Sequence, residues 1–372
     1  MNVTYDAQVF SFQEHGGISR YYCELLKQFS TIDGIEPSLI IKYSNNHFLP
    51  ELDFIRVKQF FPSHRFKGRN EIIKLLNRKY VRRCFHIKSH PDVFHPTYYD
   101  PYFLNFIDNV PFVLTIYDMS HELYPKLFNR FDFTAENKRK VAAKANRIIA
   151  ISEYTKKDIV TLLNIPASKI DVIPLATTLS PTGMGKTPIP LPHNYILYVG
   201  KRNTYKNFSF LLNAMKTLAQ MNNHSSLICA GGGKFSTQEQ KYIQKLQLSD
   251  KIIQMDVNDI VLTHLYSKAH AFVFPSLYEG FGIPILEAFA CGCPALLSNR
   301  SSLPEVGGNA ALYFDPESVP NLVERLTELI ENKALADDLR TKGLNRLKLF
   351  SWKTTALKTI ETYKKVVSEG TI

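Results

Sequence analysis

The stretch from Phe272 to Asn299, FVFPSLYEGFGIPILEAFACGCPALLSN, constrains the fold more than any other part of the chain. Ala271 to Pro275 is an apolar run of buried-strand length. Glu279-Gly280-Phe281-Gly282 is a loop, whose glycines permit unusual dihedrals and let a ligand approach the backbone. Pro284 suits a first helical turn, where a missing N–H costs nothing, so a helix is expected from about Ile283 to Cys291. Gly292 and Pro294 end it, and Pro294 to Ser298 returns to strand. Strand, helix and strand in succession argue for a parallel βαβ unit. Two carboxylates are thereby fixed at different depths, Glu279 in the loop and Glu287 about one turn inside the helix.

That placement suits a nucleotide sugar. A helix N-terminus offers free N–H groups and the positive end of a dipole, both favourable to phosphate. An ionised carboxylate accepts from two hydroxyls, so each glutamate suits a vicinal diol such as a ribose or hexose edge. Taken singly, Glu287 is explained by the helix dipole and Glu279 by solvation of a loop. Joined to the glycine loop and the proline, they point to a ligand. Glu279-x7-Glu287 inside EGFGIPILEAFACGCP resembles the donor-site signature of glycosyltransferase family 4, retaining enzymes of the GT-B fold. The resemblance implies that Glu279 contacts the donor sugar and Glu287 the nucleotide ribose. It also makes Gly280, Phe281, Gly282 and Ile283 part of the donor site.

At 372 residues the chain suits two ordinary domains with substantial cores. Its 45% apolar and 21% charged residues are values of a globular protein. A net charge of +11 favours anionic partners, and on charge alone nucleotide diphosphates, acidic lipids and nucleic acid all qualify; no nucleic-acid partner is expected. Cys23, Cys84, Cys229, Cys291 and Cys293 form no C-x-x-C pair and are odd in number, so free thiols in a reducing cytosol are expected and a zinc site is not. MNVTYDAQVF lacks a basic region followed by an apolar core, and no run reaches the length of a membrane helix. The expectation is a cytoplasmic protein, peripheral on a membrane at most.

Along the first half, strand-like segments at Asn2 to Asp6, Ser38 to Lys42, Asp92 to His95, Phe112 to Ile116, Arg147 to Ile151 and around Val172 alternate with helical ones. One helix opens at Gly16-Gly17 and runs to about Phe29, and another follows Ser152, a suitable N-cap. Pro174 to Asn194 is rich in proline and lacks an apolar period, which makes it a linker. The second half repeats the alternation, with strands at Tyr195 to Val199, Ser226 to Ala230, Lys251 to Met255 and Ala310 to Phe314, and helices from about Lys206, Gln238 and Asp259. After Val319 the pattern is helical. The architecture expected is α/β: two Rossmann-like doubly wound parallel-sheet domains facing across a cleft, 1–180 on the acceptor side and 181–352 for the donor. The resemblance implies that the last helix, about 353–372, returns to the first domain.

Further candidates sit at strand ends, where ligands bind in open parallel sheets. In Gly200-Lys-Arg-Asn-Thr-Tyr-Lys-Asn, Lys206 resembles the family's phosphate-binding lysine. The arginine usual directly before it is Tyr205 here, so Arg202 is the candidate substitute, with Lys201 behind it. Gly16 and Gly17, in GGISRY, form either a tight turn or, as the resemblance implies, a loop lying against donor phosphate or acceptor, with His15 and Arg20 near. Family members often carry His-Asp where this chain has Tyr117-Asp118, which leaves His121 or Tyr117 for the histidine's role near the reacting centre. His95 ends a strand that could line the acceptor side. Gly231-Gly232-Gly233-Lys234 is neither G-x-G-x-x-G nor a P-loop. The resemblance places Gly232 and Lys234 beside the nucleotide.

From His64 to His90 the chain carries nine Lys or Arg against one Glu, interleaved with apolar residues at spacings near three and four. This is a basic amphipathic helix, either with a plainly solvated face or with a face for anionic lipid, residues 64–90 then meeting a membrane.

The resemblance implies retaining, metal-independent transfer of a hexose from a nucleoside-diphosphate sugar, a co-substrate, to a glycan or lipid-linked hydroxyl. The chain has no Asp-x-Asp pair for a metal diphosphate. YVGKRNTYKNF and TIYDMSHELYP are similar to blocks of bacterial mannosyltransferase-like members that build lipopolysaccharide or capsule, which puts GDP-mannose first. The alternatives are a GT-B phosphorylase, a nucleotide-sugar epimerase, or a non-catalytic module binding sugar nucleotide or membrane.

Overall fold

The computed structural model describes residues 1–87, 91–107, 109–181, 190–202 and 204–369, with the backbone alone for His86, Ile87 and Thr204. Part of the expected linker (182–189) and the end of the basic segment (88–90) lie outside the described residues. The chain forms two compact units, Met1–Leu175 with the segment from Trp352, and Ala176–Ser351.

In the first unit β1 (Asn2–Tyr5), β2 (Glu36–Leu39) and β3 (Val93–His95) pair in parallel in the order β2-β1-β3. β4 (Val113–Ile116), β5 (Arg147–Ala150) and β6 (Ile170–Val172) continue as β4-β5-β6. A parallel bridge between Phe94 and Phe112 joins the two sets into one surface. The second strand begins earlier than the apolar run Leu39 to Ile41 suggests, because Asn2 to Tyr5 pair in register with Glu36 to Leu39. Its residues are half-buried or exposed, so hydrophobicity alone misplaces it.

The closing helix Trp352–Glu369 belongs to this unit and is fastened by polar contacts at its buried face. The Tyr363 hydroxyl lies 2.5 Å from that of Tyr5 and 2.6 Å from His95 Nδ1, while His95 Nε2 is 2.9 Å from Thr115 Oγ1. Thr355 donates to the Pro174 carbonyl at 2.8 Å, and Arg147 and Lys365 both pair with Asp171.

The second unit is a six-stranded parallel sheet of β7 (Tyr195–Val199), β8 (Ser226–Ala230), β9 (Ile252–Met255), β10 (Ala271–Phe274), β11 (Ala295–Ser298) and β12 (Ala311–Phe314). Its order is β12-β11-β10-β7-β8-β9. From β7 the chain winds toward β9, and from β10 toward β12, so the direction reverses between two central neighbours. The helix Phe208–Gln220 buries Phe208, Leu211, Leu212, Met215 and Leu218, a stripe of helical period. It packs with Leu322, Leu326 and Leu329 over Ile196, Tyr198, Leu227 and Cys229 of the sheet. This helix starts later than Lys206, because Thr204–Lys206 is a 3₁₀ turn and Asn207 is left-handed at φ 57°.

Candidate functional site

In an open parallel sheet the carboxyl ends of two strands that diverge leave a crevice between their loops. Here those strands are β7 and β10, and their loops are tied together by a hydrogen bond from Leu277 N to the Tyr205 carbonyl at 2.8 Å. The first loop delivers Lys206 and the second Glu279. Their side chains meet as an ion pair, Nζ to Oε1 at 2.6 Å, with 19% and 12% of the side chains exposed. The same ammonium lies 5.7 Å from the centre of the Phe274 ring.

The glycine loop is shaped from its own backbone and from the loop after β11. Gly282, with φ 101°, is the N-cap of the helix Ile283–Ala290, a left-handed geometry only glycine adopts cheaply. A Cβ there would press on Ile285 and Leu303 at 3.0 and 3.2 Å. Glu279 N donates to Ser301 Oγ at 2.9 Å, and Ser302 Oγ lies 2.8 Å from the Glu279 carbonyl and 3.1 Å from that of Phe281. The two serines thus fix the loop that carries Glu279, and the sequence reading missed them. Their signal was position, since they follow β11, the next strand to β10.

Glu287 sits one turn into that helix, 8% exposed, and accepts at Oε2 from the hydroxyl of Tyr266 at 3.0 Å. Ile283 is half-buried at the helix start, and Gly280 is buried. The Phe281 ring turns inward, 3% exposed, to meet Phe350 edge-on at 5.9 Å. It is a packing residue, and only its backbone belongs to the loop surface.

The structure gives Arg202 a different task from the phosphate contact expected of it. Nε donates to Glu239 at 2.6 Å, Nη1 to the Gly231 carbonyl at 3.1 Å, and Nη2 to those of Gly233 at 2.9 Å and Lys234 at 3.1 Å. The side chain is 4% exposed, and the guanidinium lies 4.8 Å from the Phe235 ring centre. Glu239 in turn closes the capping box of the helix Thr237–Lys245 with Ser236. Arg202 is therefore a strut that pins the loop after β8. Gly232 (φ 72°) lets this loop come close, since a Cβ there would stand 2.6 Å from the Gly200 carbonyl. Lys234 is exposed at the same loop, and so is Lys201 at the end of β7.

The first-unit candidates are each placed differently. Gly16 precedes the helix Gly17–Phe29 in extended backbone at φ 173°. Its missing Cβ makes room for the Gln13 side chain, which would lie 2.3 Å from it, while Gln13 Oε1 accepts from Ser19 N at 3.1 Å. The glycine thus admits an internal cap, a use neither expected reading considered. Gly17 is exposed at the helix start, and His15 stacks on His47 with 3.9 Å between ring centres. His121 stacks on Phe128 at 3.8 Å, with Nε2 3.5 Å from Asp132. Burial and the nearby Lys138 ammonium lower its pKa, against the pull of Asp118 and Asp132. Lys138 is fully buried and bonds the Asp118 carbonyl at 2.8 Å and Glu122 at 2.9 Å, which makes it the post of this loop. Tyr117 is buried, edge-on to Tyr21 at 5.8 Å. His95 does not line an accessible face: it is fully buried in the Tyr363 network, and burial lowers its imidazole to about 3. Ser152 caps its helix by accepting from Thr155 N at 3.0 Å, the role expected of it.

No group of metal-ligating side chains occurs among the described residues. No helix among them is long and apolar enough to cross a membrane.

Known families match the chain over residues 15–346. A family model described as Glycosyltransferase Family 4 matches residues 15–180, and one described as Glycosyl transferases group 1 matches 181–346. The chain is 27% identical to O-antigen chain mannosyltransferase B of Escherichia coli over 94% of its own length and 96% of that protein. It is 27% identical to the serotype-specific mannosyltransferase WbdA of Escherichia coli over 71% of its length, spanning 35% of that longer protein. Among solved structures, sucrose-phosphate synthase from Thermosynechococcus elongatus superposes with a TM-score of 0.78 at 18% identity, covering 99% of both chains. The Anabaena protein HepE, solved with UDP and glucose, gives a TM-score of 0.72 at 16% identity, with 98% of this chain and 99% of that one covered. At these identities the two structures speak for the fold alone.

Proposed function

We propose, for a chain that belongs to glycosyltransferase family 4 and has the GT-B fold, transfer of a mannosyl group from GDP-mannose to a hydroxyl of a growing O-antigen-type glycan. The observation that carries the reading is the Lys206–Glu279 pair in the crevice between β7 and β10, beside the N-terminus of the helix that holds Glu287. A nucleotide sugar needs a cation and N–H groups for its diphosphate and carboxylates for its hydroxyls, and this crevice gathers all three. The names of the mannosyltransferase relatives support the choice of sugar.

In this mechanism Lys206 and the N–H groups near Gly282 and Ile283 stabilise the charge that grows on the departing diphosphate, so their effect is larger in the transition state than in the ground state. Glu279 orients the sugar and holds Lys206 in place. Glu287 orients the nucleotide through its ribose. The leaving phosphate takes the acceptor proton on the same face of the sugar, which retains its configuration and calls for no protein base. No metal is needed in this scheme. Arg202 acts through the loop it pins, so it is a positioning residue, and so is Lys138 for the loop of His121. The enzyme works on the cytoplasmic face of a membrane that carries its acceptor, with the basic helix Arg69–Ile87 against anionic lipid. On that helix Ile73, Asn77, Val81 and Phe85 face inward. Ile72 and Leu75 are 41% and 52% exposed, among the exposed cations Lys79, Arg82 and Arg83.

The test is a transfer assay with GDP-, UDP-, dTDP- and ADP-sugars and an isolated lipid-linked acceptor. Mannosylation from GDP-mannose that persists with chelator present and disappears in Glu279→Ala is expected. Donor binding without turnover for every acceptor would favour the non-catalytic module. Phosphate-dependent release of a sugar phosphate would favour the phosphorylase.

A further inference from the structure

Tyr266 is one of the largest fully buried side chains of the chain, yet its hydroxyl is spent on an acidic group. It stands in the last turn of the helix Asp259–Lys268, its ring held edge-on by Phe272 at 5.5 Å. Its oxygen lies 3.0 Å from Glu287 Oε2 and 3.3 Å from the Pro284 carbonyl. One hydroxyl has one proton to give, and the carboxylate is the stronger acceptor as well as the nearer. The contact joins two helices that come from either side of β10, with Tyr266 on the one before it and Glu287 on the one after.

A glutamate has freely rotating bonds, and a carboxylate that must meet a diol has to present its plane at one angle. We infer that Tyr266 is a positioning residue for nucleotide recognition, its hydroxyl fixing the Glu287 carboxylate in the orientation that receives the two ribose hydroxyls. The inference rests on the reading of Glu287 as the ribose contact. Packing fixes the donor, because the ring is enclosed and rigid, and the donor fixes the acceptor. Burial keeps the phenol protonated, with its pKa raised well above the ordinary value and the Glu287 charge adding to the rise, so it remains a donor throughout the working pH range. In sequence Tyr266 is only one of 19 tyrosines, and nothing in its spacing to Glu287 marks the contact.

The experiment is calorimetric binding of GDP and of 2′,3′-dideoxy-GDP to the full chain, as wild type, Tyr266→Phe and Glu287→Ala, repeated with the uridine pair if GDP binds more weakly than UDP. The wild type should prefer the ribonucleotide by about a hundredfold, since the dideoxy nucleotide loses two hydrogen bonds to a charged group, each carrying about tenfold. Tyr266→Phe should lose most of that preference and still bind the dideoxy nucleotide within about twofold of wild type. A merely structural tyrosine would weaken both nucleotides alike. If Glu287→Ala abolishes the preference and Tyr266→Phe keeps it, the positioning role is overturned and the ribose contact stands. If Glu287→Ala keeps the preference, the ribose contact itself falls and the positioning role with it. Should Tyr266→Phe fold poorly by its melting curve, 3-fluorotyrosine placed at 266 keeps the packing and strengthens the donor. The preference should then shift, and an unchanged ratio would overturn the inference.

Discussion

Replacing Lys206 with methionine keeps most of the side-chain volume and removes one charge from the crevice. Two unit charges about 4 Å apart at an effective dielectric near 20 attract by about 4 kcal/mol, which bounds what the ammonium offers a diphosphate oxygen. Part of that is offset, because the ammonium already holds Glu279 at 2.6 Å with 12% of the glutamate side chain exposed, and must share itself. Allowing about 1 kcal/mol for loosening a pair this close to solvent leaves about 3 kcal/mol, or a factor of about 100 in rate. The loss belongs in kcat more than in KM, since the diphosphate gains charge as the bond to the sugar breaks. Initial-rate transfer assays on Lys206→Met, Lys206→Arg and the wild type measure it, with arginine expected to recover part of the rate. Removing the cation also leaves Glu279 half-buried and alone beside the helix Ile283–Ala290, so the double variant Lys206→Met/Glu279→Gln should regain stability without regaining activity. A kcat for Lys206→Met within threefold of wild type would refute the reasoning and leave Lys206 a structural partner of Glu279.

Three further outcomes are expected. Lys79→Glu, Arg82→Glu and Arg83→Glu together should abolish co-sedimentation with anionic vesicles, since the exposed face of Arg69–Ile87 would change sign; equal binding of wild type to neutral vesicles would count against the lipid reading. Arg202→Lys should cost about 2 kcal/mol in urea unfolding, because one ammonium cannot replace a guanidinium that serves Glu239 and three loop carbonyls, whereas a phosphate ligand would show its loss in kcat at unchanged stability. His95 stays neutral in the folded chain, its imidazole lowered to about 3 by burial, while in the unfolded chain it charges below about 6.5. The unfolded state therefore binds the extra proton, and stability falls as pH drops from about 6.5 toward 3, by up to about 1.4 kcal/mol per pH unit from this group. His95→Gln should flatten that slope between pH 6.5 and 5 in urea titrations, and an unchanged slope would place the pH dependence elsewhere.

Much of the second unit was legible because its elements carry local signals. The glycine loop, Pro284 and the apolar runs either side set the βαβ unit, and the helix Asp259–Lys268 falls where its pattern puts it. What escaped were side-chain destinations. Arg202 has the residue type and the loop position of a phosphate ligand, and nothing in its neighbours announces that Glu239, 37 residues on, will claim it. His95 ends a strand, as site histidines often do, but the helix that covers it arrives from Tyr363, at a separation of 268 residues. Ser301 and Ser302 reach the Glu279 loop across a strand. Each of these depends on which elements become neighbours, and a local pattern fixes an element's type before it fixes its neighbours.

The two glutamates of the crevice share a motif but differ in partner, and on the proposed reading the difference divides their work. Glu279 is matched by a cation, Lys206, and on the proposed reading the pair would act as one dipole between sugar and diphosphate. Glu287 accepts at Oε2 from the Tyr266 phenol inside the sheet's cover. A charged acceptor is what a neutral diol binds best, whereas a bare carboxylate beside a diphosphate would repel it. On the proposed reading, the cation accompanies the glutamate that meets the sugar next to the diphosphate, and the tyrosine accompanies the one that meets the ribose. Exchanging the partners would test this: a lysine at 266 would occupy the Glu287 oxygens with an ion pair, leaving them weaker acceptors for a diol, which should weaken the nucleotide.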